Sequence, residues 1–237
     1  MSSDIGQSAA PHAPETSTSG SQTAAPTKGK PDPRRLQAEA LVRSVAGLYG
    51  SGSGSGRARL AGLRRAAGES FGTARDLGWL YGVFARYGVR EEDEEAYLLA
   101  ISLLAFDRRA LETGGRAPHT PAEKGIGTTL HRLWLETKGT ADTDRDRPDS
   151  PIARRLRILL DADYDPRSGT GDLPFRLRQV IRLSLSKEIG PDWPQLILDL
   201  CDWNRADKRV QKRWARDFFA PQTTAEGDAT ASGSSRS

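Results

Sequence analysis

Residues 96–106 read Ala-Tyr-Leu-Leu-Ala-Ile-Ser-Leu-Leu-Ala-Phe, apolar on nearly every face of a helix. A helix of this kind has no side to turn to water, so other elements must cover it all round. Five acidic residues, Glu91, Glu92, Asp93, Glu94 and Glu95, stand just before it and suit the positive end of a helix dipole. The segment reads as the buried central helix of a bundle.

The flanking sequence supplies the cover at the same period. Pro33 fits a first helical position, and Leu36, Ala40, Leu41, Val45 and Leu48 follow at helical spacing. A Gly-Ser run over 50–56 interrupts. Leu60, Leu63 and Ala67 mark a short second helix, and Leu77, Leu80, Tyr81, Phe84 and Tyr87 a third. A Gly/Pro-containing loop, 113–122, leads to a helix with Leu130, Leu133 and Trp134. Ile152, Leu156, Leu159 and Leu160 form a later face, and Leu173, Leu177, Val180, Ile181 and Leu185 another. Asp192 with Pro194 predicts an N-cap and first turn before Leu196, Ile197, Leu200 and Trp203. Val210, Trp214 and Phe218 mark the last helix. No stretch alternates with period two. The expected fold is all-α, about nine helices in two packed lobes, 33–136 and 150–220, joined by the polar stretch 137–149. The aromatic residues Trp79, Tyr81, Trp134, Trp193, Trp203 and Trp214 sit mostly at core spacing.

Both ends differ in composition. Residues 1–30 and 221–237 are rich in Ser, Thr, Ala, Gly and Pro, with almost nothing large and apolar. Neither buries enough surface to offset its ordering entropy, so disordered tails are expected over 1–32 and 221–237. The tails hold few of the 35 basic and 31 acidic residues, so the charge is concentrated between them. The pI of 9.4 permits a polyanionic partner. A single cysteine, Cys201, excludes an intrachain disulfide and a Cys-built zinc site. No apolar run reaches the length of a membrane span, and no signal pattern opens the chain. A reducing, cytoplasmic address without a membrane partner is expected.

Several constellations invite chemistry and fail on detail. The Gly-Ser run lacks the Gly-Lys-Ser/Thr and the preceding strand of a phosphate loop, and reads as a flexible connection. Asp161, Asp163, Asp165 and Asp172 mimic a calcium loop, but Pro166 stands where the sharp turn needs glycine. His12, His119 and His131 share no ligand spacing, and no nucleophile pairs with any of them. His131 reads as a surface or packing histidine. No catalytic, metal or cofactor site is expected.

The basic residues carry more. Arg205, Lys208, Arg209, Lys212, Arg213 and Arg216 fall within an arc of roughly 140°, opposite Val210, Trp214 and Phe218. Arg178 and Arg182 lie one turn apart, Arg154 and Arg157 likewise, and Arg64 and Arg65 close the second helix. Arginine predominates, which suits forked contacts to phosphate oxygens.

Four segments in this order resemble the CasB family, the small subunit of the type I-E CRISPR surveillance complex, Cascade. They are LAGLRRAAG (60–68), RLRILLDADYD (155–165), FRLRQVIRLSLSKEIGPDWPQLILDL (175–200) and WARDFF (214–219). The resemblance spans roughly 34–220 and is weakest between 107 and 149. It implies a helical, two-lobed architectural subunit without catalysis, two copies of which sit head to tail along the assembly. The implied partners are guide RNA, target and displaced DNA, the backbone and large Cascade subunits, and a second copy of the chain. By motif match the family's basic surface carries to Arg64, Arg65, Arg132, Arg154, Arg155, Arg178 and Arg182. The residues alone add Arg157, Arg209, Lys212, Arg213 and Arg216. The Gly-Ser run, the stretch 137–149 and both tails depart from the family pattern. Two other readings remain open: a free-standing helical nucleic-acid-binding regulator, and an adaptor that meets acidic protein surfaces.

Deleting 1–30 and 221–237 is expected to leave helix content by circular dichroism and melting temperature unchanged. A large drop in melting temperature would contradict the assignment of both ends as tails.

Overall fold

Asp32 opens the first helix: its carboxylate accepts the Arg34 amide at 2.9 Å, and Pro33 fills a position that needs no amide hydrogen. The computed structural model describes residues 32–70, 72–74, 76–114, 125–140 and 143–220. Apart from Asp32, the expected tails lie outside these, as does most of the 113–122 loop. The described residues form ten α-helices and no strand: α1 (Pro33–Gly50), α2 (Gly54–Ala66), α3 (Trp79–Tyr87), α4 (Glu94–Leu104), α5 (Arg108–Glu112), α6 (Ile126–Thr137), α7 (Pro151–Leu160), α8 (Leu173–Leu185), α9 (Trp193–Cys201) and α10 (Arg209–Phe219). The expected all-α class is observed, with α5 additional to the sequence reading.

Short polar side chains start the helices. Ser53 caps α2, Asp107 caps α5, Ser150 caps α7 and Asp192 caps α9, each accepting an amide three residues on at 3.0 or 3.1 Å. The acidic run forms a 3-10 turn, Glu91–Asp93, that feeds α4. Every residue from Ala96 to Leu104 is buried, as its all-round apolar character requires.

Packing does not follow chain order. Helix α9 lies against α1 and α4, whereas α6 packs against α10 and α7. Arg35 fastens α9 to α1 by donating to Asp192 at 2.8 Å and Gln195 at 3.2 Å. The Trp193 indole donates to Asp107 at 2.9 Å, which joins α9 to the cap of α5. At the other end of α9, Asp199 is 1% exposed and accepts from Gln195, Arg213 and the Trp214 indole. Burial pushes the Asp199 carboxyl above the usual carboxylate range, while Arg213, Gln195 and Trp214 pull against it.

One expectation is corrected. The Gly-Ser run is only in part a loop, because Ser53 caps α2 and the run from Gly54 onward is helical. Gly56 is needed there: a Cβ would overlap the Leu48 carbonyl of α1. The polar stretch before α7 is pinned at its end. Arg147 is 4% exposed, lies 4.9 Å from the Trp134 ring centre, and donates to the carbonyls of Phe218 (3.0 Å) and Ala220 (3.3 Å). Composition alone could not show this, since one buried arginine looks like any other charge in a polar stretch.

Asp199→Ala strands a guanidinium and two neutral donors at a buried site. It is expected to cost about 3–5 kcal/mol by urea denaturation. Arg209→Ala removes an exposed ion pair with Asp202 and is expected to cost about 1 kcal/mol or less. Equal effects would contradict the joint's importance.

Candidate nucleic-acid interface

Helix α8 buries Leu173, Leu177, Val180, Ile181 and Ser184, which turns Arg178, Gln179 and Arg182 toward the other side. Phe175 falls off the apolar stripe and is 57% exposed. With Leu183 these residues line a groove of about 510 Å³. The groove combines an aromatic face with two guanidinium groups.

The arginines around it are held by backbone carbonyls at helix ends. Arg178 donates to Ala67, the C-cap of α2, at 3.0 Å. Arg64 donates to Ala105, the C-cap of α4, at 2.7 Å. The last carbonyls of a helix lack intrahelical partners and carry its negative dipole end, so cations settle there. Arg182 lies over the Phe106 ring at 5.7 Å. Arg65, on the last turn of α2, is exposed. None of Arg64, Arg65, Arg178 and Arg182 forms an ion pair among the described residues. The fold thus brings together four predicted residues from α2 and α8.

The remaining predicted residues lie on α6, α7 and α10, which pack on one another. Arg154, Arg155 and Arg157 are exposed on α7; Arg155 donates to Pro151 at 3.3 Å and Arg157 to Pro148 at 2.7 Å. Arg132 on α6 is half-buried. Lys212 and Arg216 are exposed on α10, without an ion pair among the described residues. The arc read from 205 to 216 is not uniformly cationic. Arg213 turns inward to Asp199, and Arg209 is answered by Asp202. Arg213 is therefore a structural residue. Sequence reading missed Phe175, although its place off the α8 stripe was a usable signal.

The acidic loop does ordinary structural work. Asp165 accepts from the Arg167 amide at 3.0 Å and the Ser168 hydroxyl at 2.7 Å, within a tight turn closed by the Asp165–Thr170 bridge. No group of three or more His, Cys, Asp or Glu among the described residues is placed to hold a metal. Burial pushes the Cys201 thiol up, away from the reactive thiolate. Trp134, Trp193, Trp203 and Trp214 are core residues, but Tyr81 is 51% exposed. No described helix is long and apolar enough to cross a membrane.

Residues 59–219 match the family model of CRISPR-associated protein Cse2. The chain belongs to the Cse2 (CasB) family. The Cse2 protein of Thermus thermophilus is 31% identical over 138 residues, which are 58% of this chain and 63% of that relative. The chain thus spans under two thirds of that Cse2 protein. CasB of M. ruber superposes with a TM-score of 0.57 at 28% identity, covering 77% of this chain and 92% of that one. A chain of a CRISPR RNA-guided surveillance complex has a TM-score of 0.57 at 22% identity, covering 78% and 92%. This last likeness concerns the fold.

His131 of α6 is 4% exposed, and its Nδ1 lies 3.1 Å from both Arg147 and the Phe218 carbonyl. Arg147 can only donate and the Phe218 carbonyl can only accept, so Nδ1 serves one of the two and the tautomer decides which. Burial lowers the His131 pKa below 6.5, with the Arg147 charge acting in the same direction. A lowered folded-state pKa means the unfolded chain binds the proton more tightly. Stability from His131 is therefore full above pH 6.5 and lost as pH falls toward the folded value. Melting temperature is expected to fall with acidification below about pH 6.5, and His131→Gln to flatten that slope. An unchanged slope would contradict the neutral, buried assignment.

Proposed function

We propose that this chain is the non-catalytic small subunit of a type I-E CRISPR surveillance complex, where it grips nucleic-acid backbone through basic helix faces. The carrying observation is the α8 groove, where Arg178 and Arg182 stand beside exposed Phe175, with Arg64 and Arg65 on the neighbouring end of α2. Family membership supports the same reading.

Base pairing supplies sequence specificity in such complexes, so a helper subunit needs only backbone contacts. Arginines already fastened to helix-end carbonyls lose little further freedom on meeting a phosphate. Phe175 offers a stacking face to an unpaired base of the displaced strand. Arg154, Arg155, Arg157, Arg132, Lys212 and Arg216 extend the cationic surface, while Arg209 and Arg213 contribute little because carboxylates answer them. The partners in this reading are guide RNA, target and displaced DNA, the backbone and large subunits, and a second copy, in the cytoplasm.

Arg65→Ala with Arg182→Ala tests this without touching a helix cap, as replacing Arg178 would. In a reconstituted complex with guide RNA, duplex affinity is expected to fall, and the salt slope to shrink by about one per lost contact. The loss is expected to be equal for unrelated targets with matched guides. Unchanged affinity and slope in a complex that still contains the variant would overturn the assignment. Recovery of the wild-type chain with acidic proteins and no nucleic acid would favour an adaptor instead.

A further inference from the structure

A separate pocket of about 290 Å³ lies among α1, α2 and α3. Val45, Leu48 and Val83 give it apolar walls. Among the described residues the polar lining is Ser44, Arg59, Arg86 and Trp79, with no acidic residue. Arg59 stacks over the Trp79 ring at 4.9 Å, and neither Arg59 nor Arg86 forms an ion pair among the described residues. The Trp79 indole nitrogen is buried and has no hydrogen-bond partner among the described residues.

Gly82 supplies an independent observation. It sits inside α3 and lines this pocket, yet a Cβ there would meet nothing within 4 Å. Glycine inside a helix costs about 1 kcal/mol relative to alanine. No contact within the described chain requires it, so the space it leaves is available to something outside the chain.

The lining defines the occupant's chemistry. Two guanidinium groups call for a carboxylate or phosphate, and the valine and leucine walls call for an aliphatic stem. A free phosphate has no such stem, and a phosphodiester would bring polar sugars to the apolar walls. A nucleobase needs an open aromatic face, and Arg59 already covers one face of Trp79. We propose that this pocket docks a glutamate-bearing segment of a partner protein, its carboxylate met by Arg59 and Arg86. This inference concerns other residues than the α8 groove and does not depend on nucleic-acid binding.

The test uses the full chain and the blocked tripeptide acetyl-Leu-Glu-Leu-amide, with acetyl-Leu-Gln-Leu-amide as its uncharged twin. The readout is the Trp79 indole N–H resonance, assigned by its loss in Trp79→Phe. Peptide is added up to about 10 mM, which reaches sites with Kd near 1 mM. The Glu peptide is expected to move the Trp79 resonance saturably and the Gln peptide to move it at least about tenfold more weakly. Arg59→Ala with Arg86→Ala is expected to abolish the response. Gly82→Leu fills the pocket and is expected to abolish it too, with melting temperature at or above wild type. An unmoved Trp79 resonance, or equal responses to both peptides, would overturn the proposal. So would a stronger response to inorganic phosphate or an oligothymidylate, which would mark a nucleic-acid contact instead.

Discussion

A buried carboxylate with three donors holds this architecture together. Asp199 sits at the end of α9, which crosses back to α1 and α4, and it receives Arg213 and Trp214 from α10. Helix α10 in turn lies so close to α6 that a Cβ on Gly127 would overlap the Trp214 carbonyl. One acidic side chain thus links the helices around the central α4 to the group formed by α6, α7 and α10. Its removal leaves the half-buried Arg213 guanidinium and the buried Trp214 indole without their acceptor, which is costlier than losing an exposed pair. The same contact neutralises the half-buried Arg213 and so shapes the cationic surface.

Helix ends do the corresponding work at the candidate interface. The C-terminal carbonyls of α2 and α4 accept from Arg178 and Arg64, and the ring after α4 supports Arg182. Among the described residues each guanidinium is held by one such contact and keeps other N–H groups for a further acceptor. In the proposed role this gives a preordered cationic groove that carries no base-reading motif.

The fold was legible because its strongest signals are local. The all-round apolar segment became α4, and Asp192 with Pro194 opened α9 as expected. Five-residue α5 escaped because it is too short for a periodic pattern, although Asp107 was a usable cap signal. The order of packing was not legible: nothing in the apolar spacing of α6 or α9 says which neighbour each helix chooses. The basic positions were legible as a set but not individually. Spacing put Arg209, Lys212, Arg213 and Arg216 on one arc, yet their roles depend on Asp202 and Asp199, which lie earlier in the chain. Arg147 shows the same limit, since its burial depends on the carbonyls that end α10.

The central functional claim is that the α8 groove faces nucleic acid, and a photo-crosslink reads this directly. Phe175 is replaced by p-benzoylphenylalanine, the complex is assembled with guide RNA and target duplex, and it is irradiated. The account predicts adducts to nucleic acid that disappear when the guide and target are omitted. Adducts to protein subunits alone, at full incorporation into the complex, would contradict it.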